Sequence, residues 1–189
     1  MFWWVIFTSI KRNHPVKKAF DMKNRFVISD THFGHAATVE KFKRPDGSPL
    51  RDFSSCEEMD NTIVENWNKV VGDNDVVYHL GDVVINRKFL PILERLKGDL
   101  VLIKGNHDIF KLSDYTKYFR DIRAYHVVDN IIFSHIPIHV ESKERFRANV
   151  HGHLHWNLAS DGKDPFYKNV CVERINYTPI SLDEIKSLL

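Results

Sequence analysis

Cysteine is nearly absent: Cys56 and Cys171 are the only two in 189 residues. Two thiols cannot supply the disulfide framework of a small secreted domain or a Cys-rich zinc site, so a reducing, cytoplasmic setting is expected. An excess of one charge is also lacking. Lys and Arg number 27 against 25 Asp and Glu, a net charge of +2, far from the field of a dedicated DNA-binding module. A nucleic-acid substrate is therefore left open but not indicated by charge. No apolar run is long. Met1–Phe7 (MFWWVIF) falls well short of the roughly 20 residues that cross a bilayer. Lys11, Arg12, His14 and Lys17 follow it directly, with no basic segment before it and no small-residue cleavage site after it, so it is read as neither a membrane span nor a secretory leader. Met22 opens a stretch, MKNRFVISD, that would serve as a natural start. Residues 1–21 are accordingly expected to be an N-terminal extension of unknown role, and residues 22–189 one domain. A chain of this size can bury about two-thirds of its unfolded surface in a single core. No repeat, low-complexity tract or domain linker interrupts it.

Histidine, by contrast, is abundant at 11 residues. Five short apolar runs each end in a residue able to bind metal: RFVIS before Asp30 and His32, VVYHLG before Asp82, LVLIKG before Asn106 and His107, NIIFS before His135, and ANVHG before His153 and His155. Parallel-sheet enzymes gather their chemistry at the carboxyl ends of strands, so these distant residues are expected to converge in one cleft. Neutral imidazole is the commonest metal ligand, and carboxylates with imidazoles are what hard divalent ions that hydrolyse phosphate esters require, one carboxylate being able to bridge two ions. The pattern points to a two-metal hydrolase.

The first half alternates strand and helix. Strands are expected at Phe26–Ser29, Val76–Leu80 and Leu100–Ile103. Helices are expected near Ala36–Phe42, from Ser54 to Val71 and from Lys88 to Leu96, with Ser54 or Ser55 capping the second and Gly72 ending it. This order implies parallel pairing. The second half changes character. Ile122–Val128 and Ile131–Ser134 flank the two-residue connection Asp129–Asn130, which suits an antiparallel hairpin. Further strands are expected at Asn149–Val150 and Val170–Glu173, and Ser181 with Glu184 makes a capping box for a closing helix, Leu182–Leu189. The expected architecture is an α/β sandwich: two mixed sheets packed face to face with flanking helices. His79, inside a strand beside Val77 and Leu80, reads as a buried, hydrogen-bonded residue.

Taken together, Asp30-x-His32, Gly81-Asp82, Gly105-Asn106-His107-Asp108, His135 and Gly152-His153-x-His155 resemble the complete motif set of the calcineurin-like metallophosphoesterases, in order and in spacing. Any one of these motifs is weak; five in sequence are specific. The short single-domain form found in bacteria and phages is the nearest type, and the tail Asn176–Ile185 resembles its closing segment. Residues 1–21 match nothing in the family pattern. The resemblance implies a four-layer fold and a cytoplasmic phosphoesterase, most simply a phosphodiesterase on a small nucleotide or related ester. It also implies two divalent ions, Mn²⁺ or a similar transition ion such as Fe, Zn or Ni. Asp30, His32, Asp82 and His155 would hold the first ion, and Asp82, Asn106, His135 and His153 the second, with a metal-bridging hydroxide as nucleophile. His107 would donate a proton to the leaving oxygen, oriented by Asp108 or another carboxylate.

Candidates for substrate contact are His35, His139 and His151, the guanidinium groups of Arg44, Arg51 and Arg145, which offer paired donors to phosphate, and Trp156, which could stack on a base. A nuclease is the rival within enzymes, expected if Arg51, Arg145 and Trp156 line one groove. An interaction module with an idle metal site is the rival outside them. Nothing in the sequence fixes an oligomeric state.

Overall fold

Nine short strands make two sheets in the computed structural model, which describes residues 23–189. The expected extension, residues 1–21, falls outside the described residues. The strands are β1 (Arg25–Ile28), β2 (Val76–His79), β3 (Asp99–Ile103), β4 (Asp121–Arg123), β5 (Tyr125–Val128), β6 (Ile131–Ser134), β7 (Ala148–His151), β8 (Tyr167–Asn169) and β9 (Ile180–Ser181). In the first sheet, ordered β4-β3-β2-β1-β9, the first four strands are parallel and β9 adds antiparallel to β1. In the second, ordered β5-β6-β7-β8, only the β5–β6 pair is antiparallel.

Side-chain alternation sorts the first sheet into two buried faces. Phe26, Ile28, Val77, Leu100 and Leu102 pack with Met59, Ile63 and Trp67 of the long helix. Val27, Tyr78, Val101 and Ile103 face Ile131, Phe133 and Val150 of the second sheet. Both faces being apolar, these strands read as continuous hydrophobic runs. Helix α1 (Ala37–Glu40) is a single turn, and α2 (Cys56–Val70) is the long one; α3 (Leu112–Tyr115) and α4 (Leu182–Ser187) are short. Ser55 caps α2 by accepting from the Glu58 amide at 3.0 Å, and Ser181 caps α4 by accepting from the Glu184 amide at 3.1 Å. Burying Met59, Ile63 and Trp67 stabilises the α2–sheet interface by roughly 1.5–3 kcal/mol per side chain. No helix of the described residues is long and apolar enough to cross a membrane.

The parallel first half, the hairpin and both caps match the sequence expectations, while three expected segments differ and α3, β8 and β9 are additions to them. Arg87–Arg95 is a 3-10 helix with Pro91 inside it; proline has no N–H to donate to an α-helical ladder. Ile122–Val128 is not one strand: the chain leaves the first sheet after β4 and enters the second at β5, so Ala124 is the crossing point. Val170–Glu173 is not a strand either. Cys171 makes a lone bridge to Ser29, and Val172–Arg174 turns as a 3-10 helix that carries the Glu173 carboxylate inward.

Candidate metal centre

Parallel β1, β2 and β3 end on the same side, and β6 and β7 end facing them, so the five apolar runs deliver Asp30, Asp82, Asn106, His135 and His153 to one cleft. The chain must turn at once after each strand to keep these side chains there. Asp30, His32, Asp82, His153 and His155 all have left-handed backbones, with φ of 57°, 48°, 57°, 68° and 50°. This region is uncommon for residues other than glycine and marks a conformation that the surrounding structure enforces. Here the enforcement is visible: the Asp30 amide donates to the Gly81 carbonyl at 3.0 Å, and the His32 amide to the Asp82 carbonyl at 3.1 Å. Glycine is needed where loops touch. A Cβ at Gly105 would overlap the Asp82 carboxylate, and one at Gly152 would overlap Ser29 and the Asp30 carboxylate.

The candidate ligand atoms form two adjoining groups. Asp30 Oδ1 lies 3.7 Å from His32 Nε2 and 3.8 Å from His155 Nε2. Asn106 Oδ1 lies 2.9 Å from both His135 Nε2 and His153 Nδ1. Asp82 Oδ2 sits between the groups, 3.8 Å from His32 Nε2 and 3.4 Å from His135 Nε2. The other ring nitrogens are committed elsewhere. His135 Nδ1 donates to the Leu80 carbonyl at 2.7 Å, and His155 Nδ1 donates to Glu173 Oε1 at 3.1 Å. These bonds place a proton on Nδ1 and fix the ring orientation, so that Nε2 is the nitrogen each ring turns toward the cleft.

Two observations show that this cleft suits a cation. Asp30 Oδ1 and both His32 ring nitrogens are buried and have no hydrogen-bond partner among the described residues. Such atoms cost about 1–3 kcal/mol each unless something satisfies them. The donor set is also right: carboxylate, imidazole and amide oxygen without thiolate suit a divalent transition ion. Electrostatics agree. Burial would raise the Asp30 carboxyl, but His32, His155 and His135 hold it well below the usual carboxylate range. Burial opposes a charged His135, yet Asp82 and Asp30 outweigh it and push the ring up to about 9. A cation entering here would displace that proton.

A side chain that the sequence did not suggest anchors the first group. Glu173 Oε1 accepts from His155 and also from Arg51 Nε, at 2.7 Å, with both Glu173 and Arg51 side chains fully buried. Arg51 also donates to the backbone, Nη1 to the Thr31 carbonyl at 2.8 Å and Nη2 to the Asp30 carbonyl at 2.6 Å, and Nη1 meets the Met59 sulfur at 3.3 Å. The expectation that Arg51 clamps substrate phosphate is therefore corrected, because its side chain is fully buried and has no surface to offer a substrate. Asp108 is corrected as well. It does not orient the His107 ring; one oxygen accepts from the Asp82 and Gly105 amides and the other from the Val83 amide, at 2.8–3.0 Å, pinning two motif loops together. His107 itself is exposed at the mouth, its ring 5.7 Å from His32, and its amide donates to Asp82 Oδ1 at 2.8 Å. His79 is the buried, hydrogen-bonded residue expected. Thr31 Oγ1 gives its proton to the Val83 carbonyl, so His79 Nε2 donates to Thr31 while Nδ1 accepts from the Gly81 amide.

The remaining substrate candidates divide. His35 reaches the site, its ring 5.5 Å from His32, and burial with neighbouring cationic groups pushes it down to about 4. Arg44 and Trp156 meet beside the centre, the guanidinium 4.2 Å above the indole. His151 points away, packing on Tyr167 with its Nδ1 on the Gly152 carbonyl. His139 caps the 3-10 turn Val140–Arg145 by accepting from the Glu141 amide, and no hydrogen bond among the described residues joins it or Arg145 to the ligand set. The groove of Arg51, Arg145 and Trp156 expected of a nuclease does not form, since Arg51 is inside the protein.

The profile of the family described as calcineurin-like phosphoesterase matches residues 25–183. Uncharacterized protein MJ1445 of Methanocaldococcus jannaschii is 36% identical over 182 residues, covering 89% of this chain and 92% of that one. Gene 66 protein of Mycobacterium phage L5 is 32% identical over 93 residues, covering 46% of this chain and 41% of its own length. Among solved structures, the protein of unknown function AQ665 from Aquifex aeolicus superposes with a TM-score of 0.68 at 28% identity, covering 88% of this chain and 100% of that one.

Proposed function

The chain belongs to the calcineurin-like phosphoesterase family and is a metal-dependent phosphoric ester hydrolase; from that premise we propose that it holds two divalent ions and cleaves phosphodiesters of the nucleotide class. The observation that carries the pair of ions is the position of Asp82 Oδ2, between His32 Nε2 at 3.8 Å and His135 Nε2 at 3.4 Å. Asp30, His32, Asp82 and His155 would hold one ion, and Asp82, Asn106, His135 and His153 the other. Mn²⁺ or a related transition ion suits this mixture of oxygen and nitrogen donors. Bound there, the ions would polarise phosphoryl oxygens and lower the pKa of a coordinated water.

The protein's own groups supply the rest. His107, exposed at the mouth with its ring 5.7 Å from His32, would give a proton to the departing ester oxygen, a step worth ~10²–10⁴ in rate. Its amide bond to Asp82 Oδ1 ties it to the carboxylate that the two ions would share. His35, held neutral by burial, lines the same entrance. Support for a diester is the cavity of about 520 Å³ that begins at His153 and His155 and leaves room for a second organic substituent. The unpaired thiols of Cys56 and Cys171 support a cytoplasmic setting.

Metal content and hydrolysis test this together. After loading with Mn²⁺, mass spectrometry is expected to find two ions per chain, and bis-p-nitrophenyl phosphate is expected to be cleaved faster than p-nitrophenyl phosphate. One ion per chain overturns the bridging role of Asp82. A loaded protein inert to both esters overturns the diesterase reading and favours an idle site used for interaction.

A further inference from the structure

We propose that the groove beside the metal centre binds a second phosphate of the substrate, so that the preferred substrate is a diester one nucleoside away from another phosphate, as in a nucleic-acid strand. This rests on the phosphodiesterase reading above and adds a site to it. Two adjoining cavities, of about 520 and 510 Å³, share Pro45, Trp156 and Asn157 and together run from His153 and His155 out to Arg174. Lys43, Arg44 and Arg174 line them, and among the described side chains no Asp or Glu does. Among the described residues no carboxylate pairs with any of these three cations. Asp46 lies near enough to Arg44 to feel its charge but is engaged by Ser48, so in a chain whose overall charge is +2 three cations without an ion-pair partner among the described residues gather beside the candidate metal site as a local anion site.

Their geometry is built rather than incidental. The guanidinium carbons of Arg44 and Arg174 both lie over the Trp156 ring, 4.2 and 5.0 Å from its centroid. Trp156 is thus already occupied, which corrects the expectation of an indole free to stack on a base. A guanidinium stacked on an indole keeps its N–H edge outward, where it can bind phosphate with paired donors. Arg44 is steadied further by its Nε bond to the Leu50 carbonyl at 3.3 Å, which leaves the terminal nitrogens free. The loop that carries it is pinned. The Leu50 amide donates to the Phe42 carbonyl and the Arg44 amide to the Ser48 carbonyl, both at 2.8 Å, and Asp46 accepts from the Ser48 amide and hydroxyl at 2.9 and 2.6 Å. Phosphate meeting prepositioned guanidinium groups forms charge-assisted bonds about twice as strong as neutral ones.

The test uses two esters with the same reacting bond and the same leaving group: the p-nitrophenyl ester of thymidine 5′-phosphate, and that ester carrying a 3′-phosphate. Nitrophenolate release by the Mn²⁺-loaded protein is expected to show kcat/KM about tenfold higher for the 3′-phosphorylated ester at low salt, a preference that shrinks as salt rises. In Arg44→Ala and in Arg174→Ala the ratio of the two kcat/KM values is expected to fall toward one. Equal kcat/KM for the two esters in the native protein overturns the second-phosphate site, as does a preference that survives in both variants. Cleavage of neither ester overturns the phosphodiesterase reading itself, which equal cleavage of both does not.

Discussion

Glu173 holds the His155 ring through an Nδ1–H bond of 3.1 Å, and the same oxygen accepts from Arg51 Nε at 2.7 Å. One buried carboxylate therefore ties a cleft imidazole to a guanidinium that also grips the carbonyls of Asp30 and Thr31. Arg51 and His155 hold Glu173 ionised, down to about 2 against the pull of burial. The Arg51 guanidinium reaches across the motif loops, so the His155 ring and the Asp30 backbone are set by a single charge pair.

Replacing Glu173 by Gln is expected to weaken Mn²⁺ binding about 10–100-fold, the usual cost of losing the partner that orients a ligating histidine. Titration against a chelating dye measures this independently of turnover. An unchanged Kd would show that Glu173 only neutralises Arg51. Arg51→Met should act mainly on folding, costing about 3–5 kcal/mol by urea unfolding, because it strands a buried carboxylate.

Asp82→Asn removes the charge proposed to be shared between the two groups. Both ions are expected to be lost and hydrolysis abolished, as read by mass spectrometry of the dialysed protein and by nitrophenolate release. A variant that keeps two tightly bound ions contradicts the shared role.

His107→Ala should retain its metal. On diesters with alkoxide leaving groups the loss is expected to be ~10²–10⁴, and on nitrophenyl esters, whose leaving group needs little proton assistance, much smaller. Equal losses on both series would remove His107 from the proton-donor role.

Asp60 is expected to lower stability at neutral pH. Both of its oxygens accept from the Gly34 amide, at 3.1 and 3.0 Å, and burial pushes the carboxyl from 3.8 up to about 6. Because the folded value is the higher one, the protonated form favours folding. That contribution is complete below about pH 4 and is lost as pH rises through about 6. Asp60→Asn is therefore expected to raise unfolding free energy by about 1–3 kcal/mol near pH 8, and the gain should vanish near pH 4. Urea denaturation across this range measures it, and a gain that does not change with pH would assign the effect to something other than titration.

Much of the architecture is legible because both faces of the first sheet are buried, so that β1, β2 and β3 stand out as apolar runs between polar turns. The cleft is legible for the same reason, since each run ends in the side chain it delivers. Ile122–Val128 was misleading because an unbroken β-forming stretch does not say which sheet each half joins; only the packing of β4 on β3 and β5 on β6 does. Arg51 and Glu173 were hidden for another reason. They are 122 residues apart, and the usual expectation for either alone is an exposed charge. Only their meeting makes burial tolerable, and nothing local records it. Trp156 was recognised as a flat aromatic surface, but the two arginines that cover it come from separate loops.

The left-handed turns at Asp30, His32, Asp82, His153 and His155 also limit how such a cleft can evolve. Asp, Asn and His visit that conformation at modest cost, and glycine at none, whereas valine, isoleucine and threonine are disfavoured there whatever their chemistry. Drift at these five positions that keeps a donor atom should run through exchanges among Asp, Asn and His. A descendant can thus retune which ion it prefers more readily than it can abandon ions altogether.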